Sequence, residues 1–216
     1  MRLVLVGPPG SGKGTQARLL TERLGLPAYG TGDILRDAVR RGTSQGRQVE
    51  PLIKKGLLAP DPLVNDLVSD LFNCKTRPER FVFDGYPRTL AQAVWFDDML
   101  VKLGLPLTAV VQFDVPDDEV VRRISGRRVC PTSGAVYHVT DRPPRMPGVC
   151  DVDGAPLVQR DDDREEVIRD RLRVFHENTD ALVDYYRKAG RLVAVPAVGS
   201  IEAIYHSMMS RLNGRA

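Results

Sequence analysis

Hydrophobic positions along this chain follow two alternating patterns. Short continuous apolar runs predict buried strands, and apolar residues that recur every three or four positions predict helices with one buried face. The expected strands are 2–6, 81–84, 109–115 and 192–195. The expected helices are 13–24, 33–41, 46–55, 62–72, 89–103, 117–125, 164–188 and 200–212. Strands that alternate with helices indicate an α/β fold, in which helices cover both faces of a parallel sheet.

Two of these helices carry further information about where they begin. Pro51 predicts that the helix at 46–55 is kinked or begins late, because proline lacks the amide hydrogen that an inner helical turn needs. Asp163 and Glu166 have the spacing of a capping box, so we expect them to cap the start of the long helix that follows.

The alternation of strands and helices breaks between residues 126 and 163. This stretch is rich in proline and glycine, lacks a helical period and contains short alternating runs such as Val136-Tyr137-His138-Val139. It is too long for an ordinary connecting loop. The pattern therefore predicts a small β-rich insertion beside the sheet.

Composition narrows the class of protein. The 216 residues favour one domain with an insertion, and the formal net charge of +3 gives no support for general nucleic-acid binding. No apolar run approaches the roughly 20 residues that cross a bilayer. The three cysteines, Cys74, Cys130 and Cys150, occur without an export signal. We therefore expect a reducing, cytoplasmic setting in which the thiols are free or bind metal.

A glycine-rich segment lies between the first predicted strand and the first predicted helix. Glycines there let backbone N–H groups converge on phosphate oxygens, and the helix N-terminus adds positive potential. Lys13 is expected to contact the terminal phosphates, and Thr15 to contact Mg²⁺ or its waters. The candidate nucleotide-binding residues of this phosphate loop are Gly10, Ser11, Gly12, Lys13, Gly14 and Thr15.

The phosphate loop departs from the general pattern, because Gly14 stands where Ser or Thr is usual and the hydroxyl moves to Thr15. That form resembles nucleoside monophosphate kinases. Four further segments occur in a matching order: Thr31-Gly32-Asp33-x-x-Arg36; Asp84-Gly85-Tyr86-Pro87-Arg88-Thr89 with Gln92; Arg123-Ile124-x-Gly126-Arg127-Arg128; and Gln159-Arg160-Asp161-Asp162-Asp163 with Arg171. Over essentially its whole length the chain resembles the adenylate kinase family, in the long bacterial form that carries a full lid.

The resemblance implies a fold and a reaction. It implies a single P-loop kinase domain over 1–216 with a five-stranded parallel sheet, a helical AMP-binding subdomain at 30–59 and a lid at 126–163. It implies the reaction ATP + AMP ⇌ 2 ADP with Mg²⁺, which Thr15 and Asp84 would help to hold. The implied partners are ATP, AMP and ADP, with no nucleic acid and no membrane, and a monomer is expected.

The chemistry of the implied reaction explains why the motifs contain a lysine and several arginines. Phosphoryl transfer between nucleotides needs positioning and positive charge more than a base or a covalent nucleophile. Through the resemblance, ATP contacts fall to Lys13, Arg123, Arg127, Val136, Tyr137 and Gly199. Arg36 and Arg88 would clamp the AMP phosphate, while Arg160 and Arg171 would approach the transferring group. The expected catalytic residues are Lys13, Arg88, Arg123, Arg160 and Arg171.

The acceptor nucleotide is expected to be AMP. In the resembling family, Thr at the Thr31 position accompanies AMP, and Gln92 can contact the adenine edge through two hydrogen bonds. The expected AMP-binding residues are Thr31, Arg36, Leu57, Leu58, Ala59, Gly85, Tyr86, Pro87, Arg88, Gln92, Arg160 and Arg171. Kinases for UMP, CMP or another small acceptor are the alternative. A further alternative is a non-catalytic module that binds a nucleotide or forms a metal ribbon. Such a module would leave the arginines unexplained.

The lid contains a mixed set of possible metal ligands. In relatives with a zinc lid, the positions of Cys130, Ser133, Cys150 and Asp153 are Cys, Cys, Cys and Cys or Asp. A neutral serine hydroxyl is a poor ligand for zinc. We therefore expect a metal-free, hydrogen-bonded lid, with a zinc site and a Cys130–Cys150 disulfide as alternatives. His138 is expected to face the nucleotide cleft beside Tyr137, and a role as a replacement ligand is its alternative.

Overall fold

A five-stranded parallel sheet forms the centre of the computed structural model, which describes residues 1–73 and 77–214; Cys74 lies outside the described residues. The strands are β1 (Arg2–Val6), β2 (Ala28–Gly30), β3 (Phe81–Asp84), β4 (Ala109–Asp114), β5 (Arg127–Val129), β6 (Val136–His138) and β7 (Leu192–Pro196). In space the sheet runs β2-β3-β1-β4-β7, and every pair is parallel. The carboxyl ends of β1 and β3 therefore meet at one edge, where ligands of open α/β sheets bind.

Helices cover both faces of the sheet. They are α1 (Lys13–Leu24), α2 (Thr31–Arg40), α3 (Ser44–Lys54), α4 (Asp61–Phe72), α5 (Leu90–Lys102), α6 (Asp117–Ser125), α7 (Glu165–Lys188) and α8 (Ile201–Asn213). A single 3₁₀ turn at Asp161–Asp163 precedes α7. None of the helices in the described part of the chain is long and apolar enough to cross a membrane.

Alternation along β1 divides the hydrophobic core into two layers. Leu3 and Leu5 point to one face, where they join residues of α1, α6 and α8. Val4 and Val6 point to the other face, where α4 and α5 cover an aromatic cluster that includes Phe83. Burial on both faces explains why the strands are continuous apolar runs rather than alternating ones.

The sequence predicted most of this architecture. The α/β class, the parallel sheet and the four strands seen in the hydrophobic pattern are confirmed. The fifth strand, β2, was implied only by the resemblance, because three residues that are exposed or half-buried have no apolar pattern. The helix α3 begins earlier than predicted, at Ser44, and contains Pro51 within it.

The predicted capping box before α7 is wrong. The residue before the first turn is Arg164, and no side chain caps that turn. Asp163 is instead fully buried and pairs with Arg127 of β5. The spacing of Asp163 from Glu166 predicted a cap for α7, but its carboxylate forms an ion pair with a distant segment instead.

The insertion between α6 and α7 is a small β structure, as predicted. Strands β5 and β6 are antiparallel, and Val129 also bridges to Val158. Two tight turns of this insertion bring Cys130 and Cys150 together with Tyr137 in a separate small core. This core does not join either layer of the main sheet, so the insertion packs as its own unit.

The packing of α2 against α3 gives a prediction about Gly46. An ideal Cβ at this buried position would lie 2.1 Å from the carbonyl oxygen of Ala38, which is backbone and cannot rotate away. Gly46→Ala should lower the free energy of unfolding by about 1–3 kcal/mol, the usual cost of overpacking. Gly214→Ala is the matched control, since its Cβ would meet only the Ser210 oxygen, at 3.5 Å. Equal stability of the two variants in chemical denaturation would contradict the prediction.

Candidate active site

The phosphate loop joins β1 to α1 through glycines that no other residue could replace without strain. Gly10 and Gly12 have φ values of +73° and +94°, a region that side chains disfavour. A Cβ on Gly10 would also lie 2.5 Å from Ile124 of α6. Helix α6 thus packs tightly against one side of the loop. The start of α1 borders an open cleft, which Gly14 and Asp84 help to line.

Lys13 lies folded over this loop. Its ammonium donates hydrogen bonds to the carbonyl oxygens of Gly7 and Pro8, both at 2.8 Å, and to the Ser11 hydroxyl at 3.4 Å. Burial lowers the pKa of Lys13 to about 8, and the nearby Asp84 carboxylate opposes that shift. The loop therefore presents a positive charge that an anion in the cleft would stabilise.

Asp84 lies at the end of β3, directly opposite Gly14. Its Oδ2 atom would be 3.1 Å from a Cβ at that position, so a side chain at Gly14 would crowd the carboxylate. Burial raises the pKa of Asp84, while Lys13 and Arg88 lower it. A side chain at Gly14 would therefore require the Asp84 carboxylate to shift by a few tenths of an ångström.

A groove beside the phosphate loop has a mixed lining, in which the carboxylates of Glu22, Asp33 and Asp84 occur beside the guanidinium of Arg18 and uncharged residues. Its lining residues include Gly14, Asp33 and Asp84. Mg²⁺ prefers oxygen ligands and keeps several of its waters when it binds nucleotide phosphates. The carboxylates of Asp33 and Asp84 therefore offer the kind of ligand that this ion prefers, and Thr15 follows Gly14 in the chain. Asp33 belongs to one of the motif segments that carry the resemblance, but it was not among the residues expected to hold Mg²⁺.

Arginines from separate segments converge on Lys13. Burial is the main reason why the pKa of Arg171 is lowered to about 10; the Asp162 carboxylate opposes that shift, and the charges of Arg127 and Arg88 act in the same direction as burial. The same three arginines also lower the pKa of Lys13. Cations that perturb one another in this way lie close together, and Arg127 and Arg171 are both within ion-pair distance of Asp163. They come from α1, the segment after β3, β5 and α7, which the sequence separates widely.

Buried carboxylates hold two of these arginines. Arg127 donates to Asp163 through Nε at 2.8 Å, and Arg171 donates to Asp162 at 2.9 Å. Asp162 and Asp163 are both buried. These ion pairs tie Arg127 of the lid and Arg171 of α7 to the turn that precedes α7.

Two further arginines extend the positive surface. Arg36 pairs with Asp33 at 2.7 Å on α2. Burial lowers the pKa of Arg160, and the charges of Arg36 and Arg127 lower it further. Arg160 is therefore near enough to Arg36 of α2 and Arg127 of β5 to be affected by their charges.

Arg123 of α6 connects that helix to the turn that follows β7. It donates to Glu119 at 2.7 Å and to the Ala197 carbonyl oxygen at 2.9 Å. The turn that follows Ala197 contains Gly199, with φ of +120°, and Gln16 of α1 donates to the Ile201 carbonyl oxygen there. These bonds place Gly199 on a turn that is anchored to the phosphate-loop side of the molecule.

A second cleft opens beside the arginines. Its lining residues are Thr31, Leu35, Leu58, Ala59, Val64, Gly85, Arg88 and Gln92. The Thr31 hydroxyl donates to the Gly85 carbonyl oxygen at 2.8 Å, which joins α2 to the end of β3. The structure therefore brings six of the predicted AMP-binding residues into one pocket. Leu57 adjoins the pocket and is half exposed to solvent, with 39% of its surface accessible.

Several predicted site residues direct their side chains elsewhere. Tyr86 is fully buried in the aromatic cluster, and its hydroxyl donates to Asn65 at 2.6 Å; Pro87 beside it is also buried. Tyr137 lies in the lid core, where its hydroxyl accepts from the Asp151 amide, while Val136 is exposed. The side chains of the two tyrosines therefore pack in hydrophobic cores and do not line the pocket beside Thr31.

The prediction that His138 faces the nucleotide is wrong. One ring nitrogen contacts the Arg122 carbonyl oxygen at 3.3 Å, and the other accepts from the backbone amides of Thr140 and Asp141. The ring fills the space beside Gly126, where a Cβ would lie 2.1 Å from it. His138 therefore packs the base of the lid.

The structure brings the four lid residues together. The Cys130 sulfur lies 3.3 Å from the Asp153 carboxylate, and the Ser133 hydroxyl lies 3.4 Å from the Cys150 sulfur. Both cysteines are free thiols, so the alternative of a disulfide is not realised. Hydrogen bonds lower the pKa of Asp153 to about 2, and the hydrogen bond from Cys150 has the largest effect.

One residue of the site was missed by sequence reasoning. Asp61, at the start of α4, accepts hydrogen bonds from Gln92 at 2.7 Å and from Thr89 at 2.8 Å. In the sequence it lies between two prolines at a predicted helix start, where a carboxylate is ordinary. Only the tertiary contact with α5 distinguishes it.

Comparison with known proteins gives a consistent result. A sequence model of the adenylate kinase family matches residues 5–191. An adenylate kinase of Archaeoglobus fulgidus is 45% identical over 95% of this chain and 94% of its own length. An adenylate kinase of Streptomyces avermitilis is 44% identical over 98% of this chain and 97% of its own length. An adenylate kinase of Anaeromyxobacter dehalogenans is 46% identical over 94% of this chain and 95% of its own length.

These similarities extend over the phosphate loop, the arginine segments and the lid together. The parallel sheet, the glycine loop and the cations at its carboxyl edge form the site of a P-loop phosphotransferase that binds nucleotides. On this combined ground, the chain belongs to the adenylate kinase family.

Proposed function

We propose that this protein catalyses ATP + AMP ⇌ 2 ADP. The observation that supports this most strongly is the convergence of Lys13, Arg88, Arg127 and Arg171 between the phosphate loop and a separate apolar pocket. Two nucleotides whose phosphates meet there would bring many negative charges together. Fixed cations between two base sites are what such a reaction needs.

The residues divide according to the nucleotide that they serve. Lys13, Arg123 and Arg127 lie on the phosphate-loop and lid side and hold the phosphates of ATP. Arg36 and Arg88 lie beside the apolar pocket and clamp the AMP phosphate, since a guanidinium can bind two oxygens at once. The transferring group would be approached by the remaining pair, Arg160 and Arg171.

No proton acceptor or covalent nucleophile is assigned. The attacking group is a phosphate oxygen of AMP that is already ionised, so the protein aligns it with the γ-phosphorus and stabilises charge. Mg²⁺ bound with ATP neutralises phosphate charge and orients the oxygens. Asp84 and Thr15 would hold that ion through its waters.

The pocket beside Arg88 is suited to a purine monophosphate. Leu35, Leu58 and Val64 offer apolar contact, and Gln92 offers amide hydrogen bonds to a base edge. Thr31 fixes the pocket wall through Gly85. These features favour AMP over UMP and CMP.

Two segments move over the nucleotides in our proposal, the AMP-binding subdomain at 30–59 and the lid at 126–163. Gly42 and Gly56 have φ values of +63° and +71° and lie at or near the ends of α2 and α3, where chain direction can change. Closure would exclude water and so suppress hydrolysis of ATP. A monomer in the cytoplasm, with no nucleic-acid or membrane partner, completes the proposal.

The lid, we propose, is held by hydrogen bonds without a metal. Two thiols and a carboxylate lie within 4.8 Å of one another and could contribute to a zinc site. The fourth position is the neutral hydroxyl of Ser133. The four groups already pair as Cys130 with Asp153 and Ser133 with Cys150.

A panel of acceptors tests the proposed reaction. The purified protein should form ADP from ATP fastest with AMP, and much more slowly with UMP, CMP or no acceptor. The reaction should need Mg²⁺. A coupled assay measures ADP formation, and a preference for UMP or CMP would exclude the proposed acceptor.

Lys13→Met tests the role of the phosphate loop. The lost ammonium is aimed at charge that develops during transfer, so turnover should fall by about 10²–10³. The fold should remain, as judged by circular dichroism, because the side chain lies at the cleft. Lys102→Met, at the exposed end of α5, is the matched control and should keep its turnover. A Lys13→Met rate within tenfold of the parent would refute the assignment.

Closure predicts a change in molecular size. A bisubstrate analogue, two adenosines joined by five phosphates, should reduce the radius of gyration measured by small-angle X-ray scattering, because both subdomains would move onto it. Adenosine at the same concentration is the control. Superimposable curves with and without the analogue would show that the subdomains do not close.

The lid proposal predicts a gain of function in metal binding. The parent should carry no zinc after dialysis against a mild chelator, whereas Ser133→Cys should bind one zinc per chain, because three thiolates and Asp153 complete the ligand set. Zinc should then raise its unfolding temperature. Ser125→Cys places a thiol outside the cluster as control. One zinc per chain in the parent would overturn the metal-free lid.

A further inference from the structure

The amide of Gln92 is held at both ends by groups of fixed polarity. Its Nε2 donates to the Asp61 carboxylate at 2.7 Å, and its Oε1 accepts from the Arg88 backbone amide at 2.7 Å. Gln92 is almost fully buried, yet it lines the pocket beside Thr31. The side chain therefore combines a rigid support with access to a bound base.

These two partners permit only one orientation of the amide. A carboxylate can only accept hydrogen bonds, and a backbone N–H can only donate. A flipped Gln92 would place its oxygen against Asp61 and its NH₂ group against the Arg88 N–H. Both contacts would be repulsive, in a place that is nearly closed to water.

The fixed orientation leaves a defined pattern for a ligand. An amide can form four hydrogen bonds, and Asp61 and Arg88 use one at each end. One N–H and one acceptor position on the oxygen remain for the base. Adenine offers a ring acceptor beside an amino donor and matches this order. Hypoxanthine and guanine offer a ring N–H beside a carbonyl oxygen, which is the reverse order.

We propose that Asp61 is a positioning residue that sets base specificity by preventing Gln92 from flipping, and so excludes 6-oxopurine monophosphates. This inference rests on the proposed function, in which AMP is the acceptor. Asp61 contacts no substrate in this role. Its second oxygen accepts from Thr89, the residue that caps α5, so the carboxylate is itself held in place.

Asp61→Asn tests the proposal with little change in shape. An asparagine amide can either accept from or donate to Gln92, so the constraint from this end of the amide is lost and only the Arg88 N–H still opposes a flip. IMP is the probe, because it differs from AMP only at the edge in question. The ratio of kcat/KM for AMP to that for IMP should fall at least tenfold, with a gain for IMP as well as a loss for AMP. Asp66→Asn, an exposed change on the same helix, should leave the ratio unchanged.

A second pair of variants separates positioning from a general structural role. Gln92→Leu should itself lose most of the discrimination between AMP and IMP. Adding Asp61→Asn to Gln92→Leu should then change the ratio no further. If Asp61→Asn shifts the ratio equally in both backgrounds, Asp61 does not act through Gln92 and the inference is overturned. Asp61→Ser, which also removes the carboxylate, replaces Asp61→Asn if that variant does not fold by circular dichroism.

The two proposals fail in different ways. A parent enzyme that does not phosphorylate AMP overturns the proposed function. A parent that prefers AMP to IMP, with an unchanged ratio in the folded Asp61 variant, leaves the function standing and overturns the role of Asp61. A ratio that falls in the Asp61 variant and stays constant in the Asp66 control supports both.

Discussion

Several cationic side chains are held close together in one cleft, and the rest of this structure depends on that constraint. Burial lowers the pKa of Lys13 to about 8 and that of Arg171 to about 10, and neighbouring cations add to both shifts. Such a cluster persists only if each group is fixed separately. Backbone carbonyls of the phosphate loop hold Lys13, while Asp162 holds Arg171. A polyphosphate removes the remaining repulsion, so the assembled charge favours binding at this edge of the sheet.

The sequence alone predicted the sheet and the phosphate loop because both leave local patterns. Strands buried on both faces are apolar runs, and a loop that needs positive φ requires glycine at fixed positions, as at Gly10 and Gly12. The arginines were found in a different way. Nothing in their spacing brings Arg36, Arg88 and Arg171 together, and only the resemblance to a family assigned them to one site. The structure supplies the physical connection, through the parallel topology that brings separate segments to one edge.

What the sequence could not predict depends on contacts between distant segments. Asp163 has the spacing of a helix cap, but a buried ion pair with Arg127 outweighs a local hydrogen bond. His138 stands in a β strand of alternating pattern, yet its ring fills the space left by Gly126. Tyr86 lies inside a motif for nucleotide binding and still packs in the aromatic core. Asp163 and His138 were therefore assigned to the wrong environment, whereas for Tyr86 the motif did not show that the side chain packs in the core.

The acidic residues show how one chemical group serves three purposes around the cleft. A carboxylate only accepts, so each one fixes the direction of whatever donates to it. Asp162 and Asp163 orient guanidinium groups, and Asp84 lies against Gly14, where a metal ion would join the phosphates. Asp61 orients a neutral amide, and through it the hydrogen-bonding pattern shown to the base. The cations thus provide affinity for phosphate of any nucleotide, whereas the choice among nucleotides depends on a group that carries no charge and on the acid behind it.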